Sequence, residues 1–161
     1  MSQNTFSTFR KIAALFALAV LAGASVAIAA AAAEPRVVAI TGNDAMQYSV
    51  KKIDAKPGEK IKVVLTAIGS MPKAEMAHNF VLLAKGTDAS SFAMAAAMAR
   101  DTGYIPAAKK SAILAMTPLM VGAGEKTEVV FDAPKEPGEY MYICTFPGHF
   151  IGGMKGVLVV K

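Results

Sequence analysis

Residues 56–66 read KPGEKIKVVLT. A proline and a glycine come first. Apolar side chains then stand at 61, 63 and 65, with lysines at 60 and 62. Proline fixes φ and glycine supplies positive φ at a tight turn. Period-two alternation of β-branched residues marks a strand with one buried face. The same order recurs downstream. Gly122-Ala123-Gly124-Glu125 precedes KTEVVFD, residues 126–132, where Val129 and Phe131 share a face opposite Lys126, Glu128 and Asp132. Glu136-Pro137-Gly138-Glu139 precedes a run at 139–145, and similar runs lie at 36–41, 46–50, 78–83, 111–116 and 156–161. Seven or eight short strands separated by such turns predict an all-β fold, an antiparallel β-sandwich.

One segment breaks the pattern. Thr87 to Arg100, TDASSFAMAAAMAR, is rich in alanine and methionine, with Thr87, Asp88 or Ser90 as N-cap and Gly103 beyond its end. It reads as one short helix inserted between strands. Phe92, Met94, Ala95 and Met98 form its expected buried stripe, and core packing is the ordinary role for such methionines.

The N-terminus has a different composition. It begins MSQNTFSTFRK, continues as an apolar run from Ile12 to about Ile28, and ends in AIAAAAAE. A basic start, an apolar middle and small residues at an A-x-A site describe a secretory signal. Residues 1–33 are therefore expected to be removed between Ala29 and Glu34, leaving one domain over 34–161. A retained anchor is the alternative, although the run is alanine-rich and barely long enough to span a bilayer.

The whole chain carries 17 basic and 12 acidic side chains; without Arg10 and Lys11 the balance is 15 minus 12, or +3. The lysines are scattered, so the concentrated basic face that nucleic acid requires is missing. No pair of carboxylates stands at a spacing suited to acid–base catalysis. Cys144 is the sole cysteine. In an exported protein it has no internal disulfide partner, and a free thiol there is a liability unless buried or ligated.

Cys144 opens the richest constellation in the chain. Residues 142–156 read YICTFPGHFIGGMKG, placing Cys144, His149 and Met154 at Cys-x4-His-x4-Met spacing in a glycine-rich loop. The other histidine, His78, opens HNFVLL and must be brought in by sheet pairing. Two imidazoles, one thiolate and a distant thioether suit a trigonal copper site with a weak axial methionine. Structural zinc prefers more thiolates, and catalytic zinc keeps an open position. A cysteine nucleophile with a histidine base is a further possibility, but Pro147-Gly148 between the two favours a ligand loop.

The loop CTFPGH followed by Met-Lys-Gly closely resembles the azurins, blue-copper proteins of the cupredoxin family. Ile40-Thr41-Gly42-Asn43-Asp44-Ala45-Met46-Gln47-Tyr48, Met76-Ala77-His78-Asn79-Phe80-Val81-Leu82, Gly122-Ala123-Gly124-Glu125-Lys126 and Val130-Phe131-Asp132 extend the likeness over about residues 36–161. The resemblance implies a cupredoxin-type Greek-key β-sandwich holding one type 1 copper. His78, Cys144 and His149 would be the equatorial ligands and Met154 the axial one. The Ala77 carbonyl would lie on the opposite axial side, where azurins have a glycine. Asn79 would brace the cysteine loop, and Phe146 would offer an amide to the sulfur. The implied function is a periplasmic one-electron carrier, not an enzyme. Transient redox proteins such as c-type cytochromes or terminal oxidoreductases would be its partners. Electrons would pass through a surface-facing His149 ring, surrounded by Met71, Met76, Phe146, Pro147 and Phe150. A copper chaperone or storage protein in the same compartment is the alternative.

Three departures accompany the likeness. The His149-to-Met154 spacing is one residue longer than in azurins and more like plastocyanins and auracyanins. The usual disulfide near the N-terminal strands is impossible, so packing alone is expected to hold them. Tryptophan is absent, and Phe80 stands beside the first histidine strand.

Overall fold

The structure, a computed structural model, describes residues 34–161; the expected export segment at 1–33 lies outside the described residues. In chain order the strands are β1 (Arg36–Asn43), β2 (Gln47–Tyr48), β3 (Lys52–Ala55), β4 (Lys60–Ala67), β5 (Val81–Leu83), β6 (Ile113–Met116), β7 (Lys126–Asp132), β8 (Gly138–Ile143) and β9 (Lys155–Val160). Helix α1 (Ala89–Ala97) lies between β5 and β6 and is followed by two short 3-10 turns, Arg100–Thr102 and Ala107–Ala112. The strands form two sheets, β2-β1-β4-β7 and β3-β9-β8-β5-β6. None of the described helices is long and apolar enough to cross a membrane.

Alternation in sequence becomes alternation in burial. Ile61, Val63, Leu65 and Ala67 of β4 are all buried. With Ile40, Phe80, Leu82, Tyr142, Met154 and Leu158 they fill the space between the sheets. Burying an aliphatic side chain of this size stabilises by roughly 1.5–3 kcal/mol. Phe80 takes the central position, its ring 4.9 Å from Tyr142 and 6.3 Å from Phe131.

The sandwich departs from the sequence reading in strand count and direction. The added strand is β3, whose four residues are too short to stand out as a periodic run. It pairs parallel with β9, and β1 pairs parallel with β4, so neither sheet is purely antiparallel. Alternation reports which face is buried and carries no information about strand direction. The N-terminal strands are also held by more than packing. β1 runs in register with β4 from Arg36 to Gly42, β3 with β9 from Lys52 to Ala55, and Tyr142 Oη donates to Val50 O at 2.7 Å.

A second core lies on the outer face of the five-stranded sheet. Val81, Leu83 and Ile143 pack there beneath Phe92, Ala96 and Ile105. β5 is consequently buried on both sides. Asp88 caps α1, its carboxylate accepting from the Ser90 and Ser91 N–H groups at 3.0 and 3.1 Å. The expected helix stripe needs correction. Ala89, Phe92 and Ala96 are the buried positions, whereas Met94 and Met98 are 61% and 87% exposed. At ~100° per residue Met94 lies about 200° round from Phe92, so one helix cannot bury both against a sheet. Phe92 offers the larger rigid apolar surface and faces inward.

Candidate metal centre

Four backbone arrangements bring the donors together. His78 precedes β5 and is fixed by reciprocal hydrogen bonds with Val121, each 2.8 Å. Cys144 follows the last residue of β8, and its N–H donates to Met154 O at 3.1 Å. The Met154 N–H in turn donates to His149 O at 2.9 Å, and the His149 N–H to Phe146 O at 3.1 Å. The longer His-to-Met link is wound into a turn, with Gly152 N–H donating to Gly148 O at 2.9 Å and Gly153 N–H to Phe150 O at 3.1 Å. Gly153 adopts φ +97°, a left-handed conformation that glycine takes without strain. Gln47 Nε2 crosses from β2 to donate to Gly152 O at 2.8 Å. The additional residue is absorbed by local winding, and Met154 still stands immediately before β9.

The result is a compact donor set. Ligand atoms of His78, Cys144 and His149 all lie within 4.8 Å of one another. Cys144 Sγ is 3.4 Å from His149 Nδ1, and the two imidazole centroids are 5.1 Å apart. Met154 is fully buried beside them: a Cβ built on Gly42 would lie 2.7 Å from Met154 Cε and 3.0 Å from the His78 ring. His78 Nδ1 is buried without a hydrogen-bond partner. An unsatisfied buried polar atom costs about 1–3 kcal/mol, and metal coordination removes that penalty. The donors present therefore fit a copper ion, with soft thiolate and thioether beside two imidazoles.

Electrostatics favour the same assignment. Burial pushes the His149 pKa down to about 4, with His78 adding to the effect. Burial also lowers His78, against the opposing charge of Asp44. Both rings are consequently neutral and have a lone pair to give near neutral pH. Burial pushes the Cys144 thiol up to about 12, while the N–H groups of Asn79 and Phe146 act the other way by stabilising the thiolate. Metal charge offsets the desolvation of a coordinating thiolate.

The surrounding residues hold this loop to the His78 segment. Asn79 Nδ2 donates to Thr145 Oγ1 at 2.8 Å, and the Thr145 N–H donates to Asn79 Oδ1 at 2.9 Å. Tyr48 Oη donates to Asn79 O. Ala77 O is 3.8 Å from Cys144 Sγ. Gly42, Thr145 and Tyr48 had no role in the sequence reading. All three stand in azurin-like stretches, but only the fold shows that Gly42 leaves room for Met154 and His78.

The expected surface-facing His149 ring is a correction. His149 is 2% exposed, packed among His78, Phe146 and Cys144. Phe146 lies 4.8 Å from it, ring to ring. Phe150 instead packs toward the helix-side core and carries the Lys155 ammonium 4.6 Å above its ring.

Comparison with known proteins agrees with this geometry. Residues 36–161 match the family model of copper binding proteins, plastocyanin/azurin family. The chain is 40% identical over 145 residues to azurin of Achromobacter denitrificans, covering 86% of this chain and 91% of that protein. It is 36% identical over 155 residues to azurin of Pseudomonas aeruginosa, covering 94% and 99%. The crystal structure of dithionite-reduced auracyanin from Roseiflexus castenholzii aligns with a TM-score of 0.68 at 30% identity, covering 81% of this chain and 99% of that one. The chain belongs to the plastocyanin/azurin family: it is an azurin-like blue-copper cupredoxin, a protein of copper and electron transfer.

Proposed function

We propose that His78, Cys144, His149 and Met154 would hold a single copper ion, with the Ala77 carbonyl beside Cys144. The observation that carries this reading is the convergence of three buried donor atoms within 4.8 Å, beside a fully buried Met154. Copper supplies the one-electron couple. The chain's residues exclude water, keep both imidazoles neutral and aim the Asn79 and Phe146 N–H groups at the sulfur. Backbone bonds between Cys144, Met154, His149 and Phe146 keep the loop from swinging when the site changes charge.

On this reading the domain over 34–161 is a non-catalytic electron carrier. Residues 1–33 export it to the periplasm, where it meets redox proteins transiently, c-type cytochromes or terminal oxidoreductases among them. A chaperone or storage role requires donors that a second protein can reach, and exposures of 0–2% for all four side chains weigh against it.

Copper(II) titration of the purified protein tests the site. An intense blue thiolate-to-copper band is expected, and Cys144→Ser should abolish it. A colourless complex, or a blue one that survives the substitution, would overturn the assignment. Mass measurement of the exported protein tests the leader, with cleavage expected between Ala29 and Glu34.

A further inference from the structure

His149 is only 2% exposed, and a line of aromatic rings leads away from it. Phe146 stands 4.8 Å from His149, and Tyr104 meets Phe146 edge to face at 5.3 Å. Both separations lie within the ~4.5–7 Å range of contacting aromatic pairs. Tyr104 is half-buried and lines a cleft of about 350 Å³ that also reaches Ala77, Asn79 and Phe146 around the metal centre.

The chain holds Tyr104 there at a cost. It has φ +61°, one of two non-glycine residues in the left-handed region among those described. Such a conformation costs roughly 1–2 kcal/mol, and strained backbone of this kind clusters at functional positions. It is held by Tyr104 N–H donating to Ala99 O at 2.8 Å and by Thr102 Oγ1 donating to Ile105 O at 2.7 Å.

Charge on the cleft has one sign. Its charged lining residues are Lys73 and Arg100, and no aspartate or glutamate lines it. Lys73 is already paired with Glu125 at 2.6 Å, whereas Arg100 forms no ion pair among the described residues. Asp101 follows Arg100 and is exposed, but it does not line the cleft. Residues 34–161 carry a net +3, 15 basic against 12 acidic, so the long-range field has the same sign.

We infer that a redox partner with an acidic surface docks over Tyr104, a partner carboxylate pairing with Arg100, and that the electron leaves from His149 through Phe146 and Tyr104 to the partner. This rests on the carrier reading above. In the productive encounter reduced copper loses one electron and the partner's redox centre gains it; no atom or proton is transferred. Tyr104 and Phe146 stay closed-shell and serve as contact between donor and acceptor. Arg100 steers the encounter, as rim charges do.

Two measurements test it. The first uses the copper(I)-loaded protein and the redox-inert paramagnetic anion hexacyanochromate(III) in amide NMR. Broadening should concentrate on residues 100–104 and 73–74 and vanish in Arg100→Glu. Broadening centred on 146–151, or spread over the scattered lysines, overturns the docking face. The second uses an acidic c-type cytochrome as electron acceptor. Arg100→Glu should slow the bimolecular rate about tenfold at low salt, with the difference collapsing at high salt. Lys56→Glu, the same charge change on the turn before β4, should have a much smaller effect. Tyr104→Leu should slow transfer while the blue band and the potential stay in place; an unchanged rate overturns the aromatic route. Loss of the blue band or of a reversible couple in the parent protein would sink the carrier reading itself. Equal rates in a fully blue Arg100→Glu protein would sink only this docking.

Discussion

Two excursions leave the five-stranded sheet, and they are ordered by different forces. The loop from Cys144 to Met154 is tied by hydrogen bonds: Cys144 to Met154, Met154 to His149, Gln47 to Gly152, and the Asn79–Thr145 pair beneath it. The excursion from β5 to β6 is tied mainly by apolar contact, with Phe92, Ala96 and Ile105 laid over Val81, Leu83 and Ile143. Hydrogen bonds are directional and set atomic positions, as ligands require. Hydrophobic burial is non-directional and needs only area and shape. The donor loop therefore tolerates little change in position, whereas the helix tolerates wide change in sequence if its buried face survives.

Substitutions can break this contrast, and the largest effect should come from the apolar side. Phe92→Ala removes a fully buried ring and should cost about 3–5 kcal/mol in denaturant unfolding, while the copper spectrum of the folded fraction stays unchanged. A changed blue band would show that the helix positions the ligands. Asn79→Ala leaves the Thr145 N–H and hydroxyl without their partner. It should cost about 1–3 kcal/mol and, unlike the helix variant, also shift the thiolate-to-copper band. Gly42→Ala drives a Cβ to 2.7 Å from Met154 Cε. Its penalty should fall at the lower end of about 1–3 kcal/mol, with its main signature in the electron paramagnetic resonance of copper(II) as Met154 is displaced. The smallest effect belongs to Met94→Ser with Met98→Ser. Both side chains are exposed, so stability should move by no more than ~0.5 kcal/mol; a larger loss would mean that this face of α1 is covered.

The same two regions show what was legible beforehand. The donor loop was readable because soft ligands are rare and their spacing is local: Cys144, His149 and Met154 lie in one stretch. β4 and β7 were readable because each alternates over a whole strand. The helix was readable in place but not in orientation. Alanine and methionine are apolar all round it, so periodicity could not tell Phe92 and Ala96 from Met94 and Met98. β3 was too short to register, and its parallel pairing with β9 left no mark in its four residues. Tyr48, Thr145 and Gly42 are ordinary residues whose roles arise from neighbours distant in sequence.

By itself, then, the sequence determined the class of structure and pointed to copper and its candidate donors, because alternation, turn chemistry and ligand softness are properties of short segments. Tertiary structure decided how those donors are presented. It joined the His78 segment to the loop through Asn79 and Thr145, wound the extra residue between Gly148 and Gly153, and left His149 only 2% exposed. It also laid Phe146 and Tyr104 in line beside that ring. Contacts of this kind depend on chain crossings between two sheets, and local pattern does not encode which distant residue a buried side chain will meet.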